Sequence, residues 1–63
     1  MTRKDYEIVA EQLRFAWARG DLTQEGLNNL AEGLADSFKR DNPRFDRERF
    51  LNACGYYRKE ENA

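Results

Sequence analysis

One local pattern occurs three times in this 63-residue chain, and each occurrence marks the start of a helix. An apolar residue precedes a residue that can cap a helix, and a second apolar residue follows four positions after the cap. The cap oxygen accepts a free backbone N–H of the first turn, and the two apolar side chains pack together as a hydrophobic staple. The three sets are Met1, Thr2 and Tyr6; Leu22, Thr23 and Leu27; and Phe45, Asp46 and Phe50. The sequence therefore predicts an all-α, small three-helix domain, a helical hairpin plus a short C-terminal helix.

Glycine and proline residues predict where these helices end. Gly20 and Gly55 can each adopt the left-handed conformation just past a helix terminus, and Pro43 disfavours helix at the residue before it. A short third helix is unstable alone, so it must dock on the other two. We expect a single helical domain over 1–63, with helices at about 3–19, 24–41 and 46–54 and a frayed or solvated tail at 58–63.

The apolar residues of the first helix occupy two sides. Ile8 and Phe15 lie nearly opposite the main face at about 100° per residue. One antiparallel neighbour cannot cover both sides. Either helix one lies between the other two helices, or this off-face pair contacts another chain. Within the chain, the C-terminal segment could also cover Ile8 and Phe15. The main face comprises Tyr6, Val9, Ala10, Leu13, Ala16 and Trp17.

The second helix is predicted to have one apolar face and one strip of small residues. Gly26, Gly33 and Ser37 share a side, where another helix could approach closely, although glycines tolerated at the surface explain the strip almost as well. Asp36 is placed to pair with Arg40. The apolar face comprises Leu27, Leu30, Ala31, Leu34 and Phe38.

The chemistry-bearing residues do not indicate catalysis. The chain contains no histidine, so neither a neutral-pH general base nor an imidazole ligand is available. Cys54, the one cysteine, falls on the inner side of the third helix and is interpreted as a buried structural thiol. The carboxylates occur at helix starts and in expected ion pairs. We therefore expect no enzyme activity, no cofactor, no metal site and no small-molecule substrate.

The charge pattern leaves one alternative function open. The chain carries a net charge of −1, but basic residues outnumber acidic ones from Ser37 onward. A helix, a turn and an arginine-bearing helix could contact a DNA groove, although interleaved carboxylates and the acidic first half oppose this. The nucleic-acid candidates are Lys39, Arg40, Arg44, Arg47 and Arg49.

The segment Asn42 to Gly55, read NPRFDRERFLNACG, resembles the C-terminal signature of a family of small uncharacterised phage and prophage proteins. The similarity covers roughly the last third of the chain and a short stretch starting at Lys4. That family has no assigned activity. The resemblance implies a phage or prophage origin and expression in the bacterial cytoplasm, and it carries over no functional residues.

These observations favour a small phage-encoded protein-binding module that docks a helical surface on itself, as a homo-oligomer, or on a host protein. Neither a signal peptide nor a membrane span is expected. The alternatives are a DNA-binding accessory that uses the basic turn and third helix, and a minor structural part of a phage particle. The protein-interface candidates are Ile8, Phe15, Trp17 and Tyr57.

Overall fold

The computed structural model describes residues 2–57. It is all-α, which confirms the predicted fold class. The helices are α1 (Arg3–Ala18), α2 (Gln24–Asp41) and α3 (Arg47–Cys54). The expected tail at 58–63 and the contribution of Met1 to the first staple lie outside the described residues.

All three expected caps are formed. In each, a side-chain oxygen of the cap residue accepts the backbone N–H three residues later, which satisfies one of the unpaired donors of the first turn. In α1 the bond is reciprocal, because the Asp5 carboxylate also accepts the Thr2 N–H at 3.2 Å. The cap distances are 3.4 Å from Asp5 N to Thr2 Oγ1, 3.0 Å from Gly26 N to Thr23 Oγ1, and 3.1 Å from Arg49 N to Asp46 Oδ1.

Two glycines end α1 and α3 in the left-handed conformation. Gly20 has φ 89° and Gly55 has φ 88°. Past Gly55, the Tyr56 N–H donates to the Leu51 carbonyl at 3.0 Å, so the chain turns back along the helix. This turn directs the following residues across α2.

Four aromatic rings hold one end of the molecule together. Tyr6 of α1, Phe38 of α2, Phe45 of the preceding turn and Phe50 of α3 pack with ring centroids 4.6 to 5.6 Å apart. The expected staple between Phe45 and Phe50 is one of these pairs, at 5.6 Å. All five ring pairs are tilted or edge-to-face, the arrangement that aromatic quadrupoles favour. The cluster therefore joins all three helices at a single point.

The rest of the core is built from small side chains and three larger ones. Ala10, Ala31 and Ala35 are buried on α1 and α2, where their size allows the helices to approach closely. Toward the other end, α3 buries Leu51 and Cys54, and α2 buries Leu27.

The turn between α2 and α3 is held by an ammonium group. Lys39 Nζ donates to the Pro43 carbonyl at 2.8 Å and to the Phe45 carbonyl at 3.2 Å. These carbonyls lie outside regular structure, so the lysine supplies partners that a helix or sheet would otherwise provide. The entry to α3 is thereby fixed from α2.

The molecule is flat, with principal-axis extents of 29 × 29 × 14 Å. Helices pack with axes about 8–10 Å apart, so the thin dimension accommodates about two layers. Each helix consequently keeps a side that no other helix covers.

Two expectations for α2 are wrong. Leu30 was expected on the buried face, but it is 48% exposed, because α1 and α3 contact α2 on the side of Leu27, Ala31 and Ala35. Asp36 pairs with Arg47 rather than with Arg40, at 3.0 Å between Asp36 Oδ1 and Arg47 Nε. The start of α3 brings Arg47 to Asp36, a tertiary contact that helical spacing does not reveal.

Replacing the two left-handed glycines with alanine separates backbone strain from packing. Gly20→Ala is expected to lower the free energy of unfolding by about 1–2 kcal/mol, the cost of a Cβ in this conformation, since no atom lies within 4 Å of the added carbon. Gly55→Ala should cost a similar amount, because its Cβ would lie at ordinary van der Waals distances, 3.4 Å from Arg14 Cγ and 3.7 Å from Leu27 Cδ2, and would add no clash to the backbone strain. Urea denaturation of both variants measures the two losses, and a much larger loss for Gly55→Ala would show that packing decides its cost.

Candidate protein-binding surface

Ile8 and Phe15 form an exposed apolar pair on α1. Their exposed fractions are 49% and 45%, whereas Ala10 on the opposite side is 1% exposed. The helices α2 and α3 leave about half of each of these side chains uncovered, so α1 is not enclosed between the other two helices. The pair is therefore accessible to another molecule.

Trp17 departs from the position expected for it. Its spacing places it on the main face of α1, yet it is 47% exposed. The α1 helix ends one residue later, and past the aromatic cluster the helices leave a gap beside it. Trp17 thus borders an opening instead of filling the core.

That opening is an apolar cleft of about 330 Å³ at the end of the molecule opposite the aromatic cluster. Phe15 and Trp17 flank it. Around the circumference of α1, the small Ala18 lies between these two side chains. Buried Leu27 and Cys54 form its floor. Pockets of this size and composition accept an apolar group. The cleft and the Ile8–Phe15 pair share Phe15, so together they form one surface, here called the α1 surface.

A strap of residues 55–57 crosses α2 beside this cleft. The Asn28 side-chain amide holds the Tyr57 backbone at both polar groups, since Asn28 Nδ2 donates to the Tyr57 carbonyl at 2.9 Å and Asn28 Oδ1 accepts the Tyr57 N–H at 3.1 Å. Gln24 Nε2 donates to Asn28 Oδ1 at 3.0 Å and to the Gly55 carbonyl at 3.1 Å. A side-chain amide has the same donor and acceptor groups as a peptide unit, so this pairing resembles a backbone bridge.

Glu32 continues this polar row one turn further along α2. Its carboxylate accepts the Tyr56 hydroxyl, and the Tyr56 ring packs against the core. The next residue, Tyr57, is 57% exposed, so the strap presents this interface candidate to solvent. Gln24, Asn28 and Glu32 recur every four residues, a spacing that could have indicated a polar strip, although the sequence does not show what it binds.

Cys54 is buried and forms no disulfide. Burial raises the pKa of the Cys54 thiol from 9.0 to about 11, while the nearby Arg14 guanidinium opposes part of that rise. A thiol in this state is protonated at neutral pH and is a poor nucleophile. This protonation state agrees with the interpretation of a structural thiol.

The basic residues of the turn do not all face solvent as one group. Lys39 contacts the turn carbonyls and Arg47 pairs with Asp36, so both stabilise the fold. Within residues 2–57, the side chains of Arg40, Arg44 and Arg49 make no hydrogen bond or ion pair. Arg44 and Arg49 line a cleft of about 310 Å³ that Glu7 and Asp46 also line, so carboxylates share this surface with the arginines.

Comparisons with known proteins return no match: no family model, curated protein or solved structure is similar to this chain. In the part of the chain that the structure describes, no group of three or more Cys, Asp or Glu side chains is placed to hold a metal ion. Within residues 2–57, no helix combines the length and the hydrophobicity that a membrane-spanning segment requires.

The raised pKa of Cys54 predicts a loss of stability in alkali. Between pH 9 and about 11 the unfolded chain releases the thiol proton while the folded chain retains it, so the free energy of unfolding falls as pH rises. The Cys54→Ala variant lacks this contribution and differs from the wild type in no other ionisable group. We expect the variant to gain stability relative to the wild type from about pH 8 to about pH 10, as measured by urea denaturation at both pH values. A difference in the free energy of unfolding that does not change with pH would contradict the prediction.

Substitution of Asn28 tests the strap. Asn28→Ala removes both bonds to Tyr57 and should lower the free energy of unfolding by about 1–2 kcal/mol. Hydrogen exchange at the Tyr57 amide should accelerate in this variant. Asn28→Asp is the matched control, because it keeps an acceptor for the Tyr57 N–H and should preserve more of the protection. Unchanged exchange in Asn28→Ala would show that Asn28 does not hold the strap.

Proposed function

We propose that the chain is a small protein-binding module that docks its α1 surface on another protein or on a second copy of itself. The observation that carries this proposal is the exposure of Ile8, Phe15 and Trp17, each about half accessible, on one helix of a very small domain. Aromatic side chains such as Phe15 and Trp17 dominate the energetics of protein interfaces.

The geometry of the cleft supports a partner that inserts an apolar side chain. Its aromatic flanks and buried floor leave little opportunity for hydrogen bonding, so a polar ligand would lose its water without replacement. Arg14 at the edge provides a cation for a carboxylate on the inserted element. Tyr57 of the strap, whose backbone is held by Asn28 of α2, provides a further aromatic anchor.

The magnitudes fit a modest contact. Fully burying a large apolar side chain contributes about 1.5–3 kcal/mol, so covering the exposed half of each of three residues contributes about 1 kcal/mol apiece. Such a surface needs further contacts to overcome the cost of association. The cleft and Tyr57 are the neighbouring elements able to supply them.

The DNA-binding alternative has less support, because Lys39 and Arg47 already bind partners within the fold. It remains distinguishable by experiment. Phosphate contacts make DNA affinity fall steeply with salt, and Arg44→Ala should weaken it further. Incorporation as a minor structural part of a phage particle would be recognised by finding the protein in purified virions.

The double variant Ile8→Glu/Phe15→Glu tests the α1 surface. Both side chains are exposed, so the variant should keep the helical circular dichroism and cooperative melting of the wild type. Partners recovered with the tagged protein, or its self-association by this surface, should be lost, with affinity reduced at least about tenfold.

A matched control is Glu7→Gln/Glu11→Gln, which changes two exposed α1 residues without removing apolar area and should leave binding intact. Unfolding of the Ile8→Glu/Phe15→Glu variant would place both residues in the core, and undiminished binding would place the contact elsewhere.

A further inference from the structure

A second surface lies on α2, away from the α1 surface. It consists of Gly26, Leu30, Gly33 and Ser37, which recur at spacings of three and four residues and therefore share one side of the helix. Leu30 is 48% exposed. Among the large apolar residues of α2 and the strap, Tyr57 alone has a larger exposed fraction. Neither α1 nor α3 covers it.

Leu30 and Gly33 are complementary in shape. Leu30 projects from the helix, whereas a Cβ added at Gly33 would meet no atom within 4 Å, so Gly33 is an open depression one turn away. Leu30 and Gly33 lie at equal distances on either side of one point along α2. A second copy of the helix that runs in the opposite direction can therefore place its Gly33 against this Leu30 and its Leu30 against this Gly33. With a twofold axis between Ala31 and Glu32, Leu30 of each copy faces Gly33 of the other, and Gly26 faces Ser37.

Charge selects the same orientation. Glu25 lies in the first turn of α2 and Arg40 in the last, both exposed and both without an ion-pair partner within residues 2–57. In the antiparallel register Arg40 falls within about two residues, or ~3 Å along the axis, of the second copy's Glu25. A parallel pair would instead place Glu25 against Glu25 and Arg40 against Arg40, with the two glycines facing across an empty space.

From this complementarity we propose that the chain forms a twofold homodimer through antiparallel contact of its α2 helices. The occupant of the α2 surface is a second copy because Leu30 and Gly33 share one strip that matches itself when it is inverted, and Arg40 and Glu25 both lie along the same flank of that strip. A twofold dimer forms every such contact twice. The small domain gains buried apolar area, and the α1 surface stays free.

Sedimentation equilibrium tests the proposal. The wild type should approach twice the chain mass of 7.5 kDa at concentrations up to about 1 mM. Leu30→Glu and Gly33→Leu should sediment at the single-chain mass with unchanged helical circular dichroism. The second variant adds apolar area where the monomer has open space, so its loss of dimer cannot be attributed to misfolding or to reduced apolarity.

Charge reversal tests the orientation. Glu25→Lys and Arg40→Glu should each weaken the dimer by roughly three- to tenfold, and the combined variant should restore it. Within one chain these residues lie about 22 Å apart along the helix, so rescue cannot arise inside a monomer.

A wild type of single-chain mass throughout, a Leu30→Glu variant that still dimerises, or a combined variant without rescue would each overturn the proposal. Ile8→Glu/Phe15→Glu, which removes the α1 surface, should leave this dimer intact, so failure of the two proposals is distinguishable.

Discussion

The packing of four aromatic rings at one end of the molecule joins the short third helix to the helical hairpin. Tyr6, Phe38, Phe45 and Phe50 come from α1, α2, the turn and α3, and their contacts are the point where all three helices meet. Since α3 has only eight residues, it has almost no stability of its own. Its existence depends on burying Phe50, Leu51 and Cys54 against the hairpin.

The concentration of large rings at one end has a consequence at the other. There the floor is made by Leu27 and Cys54, which cannot fill the same volume, and an apolar cleft remains between Phe15 and Trp17. A flat, two-layer arrangement of three helices also leaves the outer sides of α1 and α2 uncovered. Both proposed contact surfaces follow from this shortage of covering elements, one on each long helix.

Residues outside the apolar core position the segments that the helices do not constrain. Lys39 binds the carbonyls of the turn before α3, and Asn28 binds the backbone of the strap after it. Both side chains would be described from sequence as solvated helix residues. Their partners are backbone groups distant along the chain or in irregular segments, which no periodic pattern identifies.

Caps, staples and left-handed glycines act within about six residues of the chain, so these local signals predict the three helix starts, the two glycine ends and the order of the helices. Helical spacing also indicates that Ile8 and Phe15 lie apart from the main face of α1. The exposure of Leu30 and Trp17 and the pairing of Asp36 with Arg47 follow from the packing of the helices and have no local signal. Amphipathic spacing shows which residues share a side of a helix. How much of that side the neighbouring helices cover depends on where the aromatic cluster places those helices.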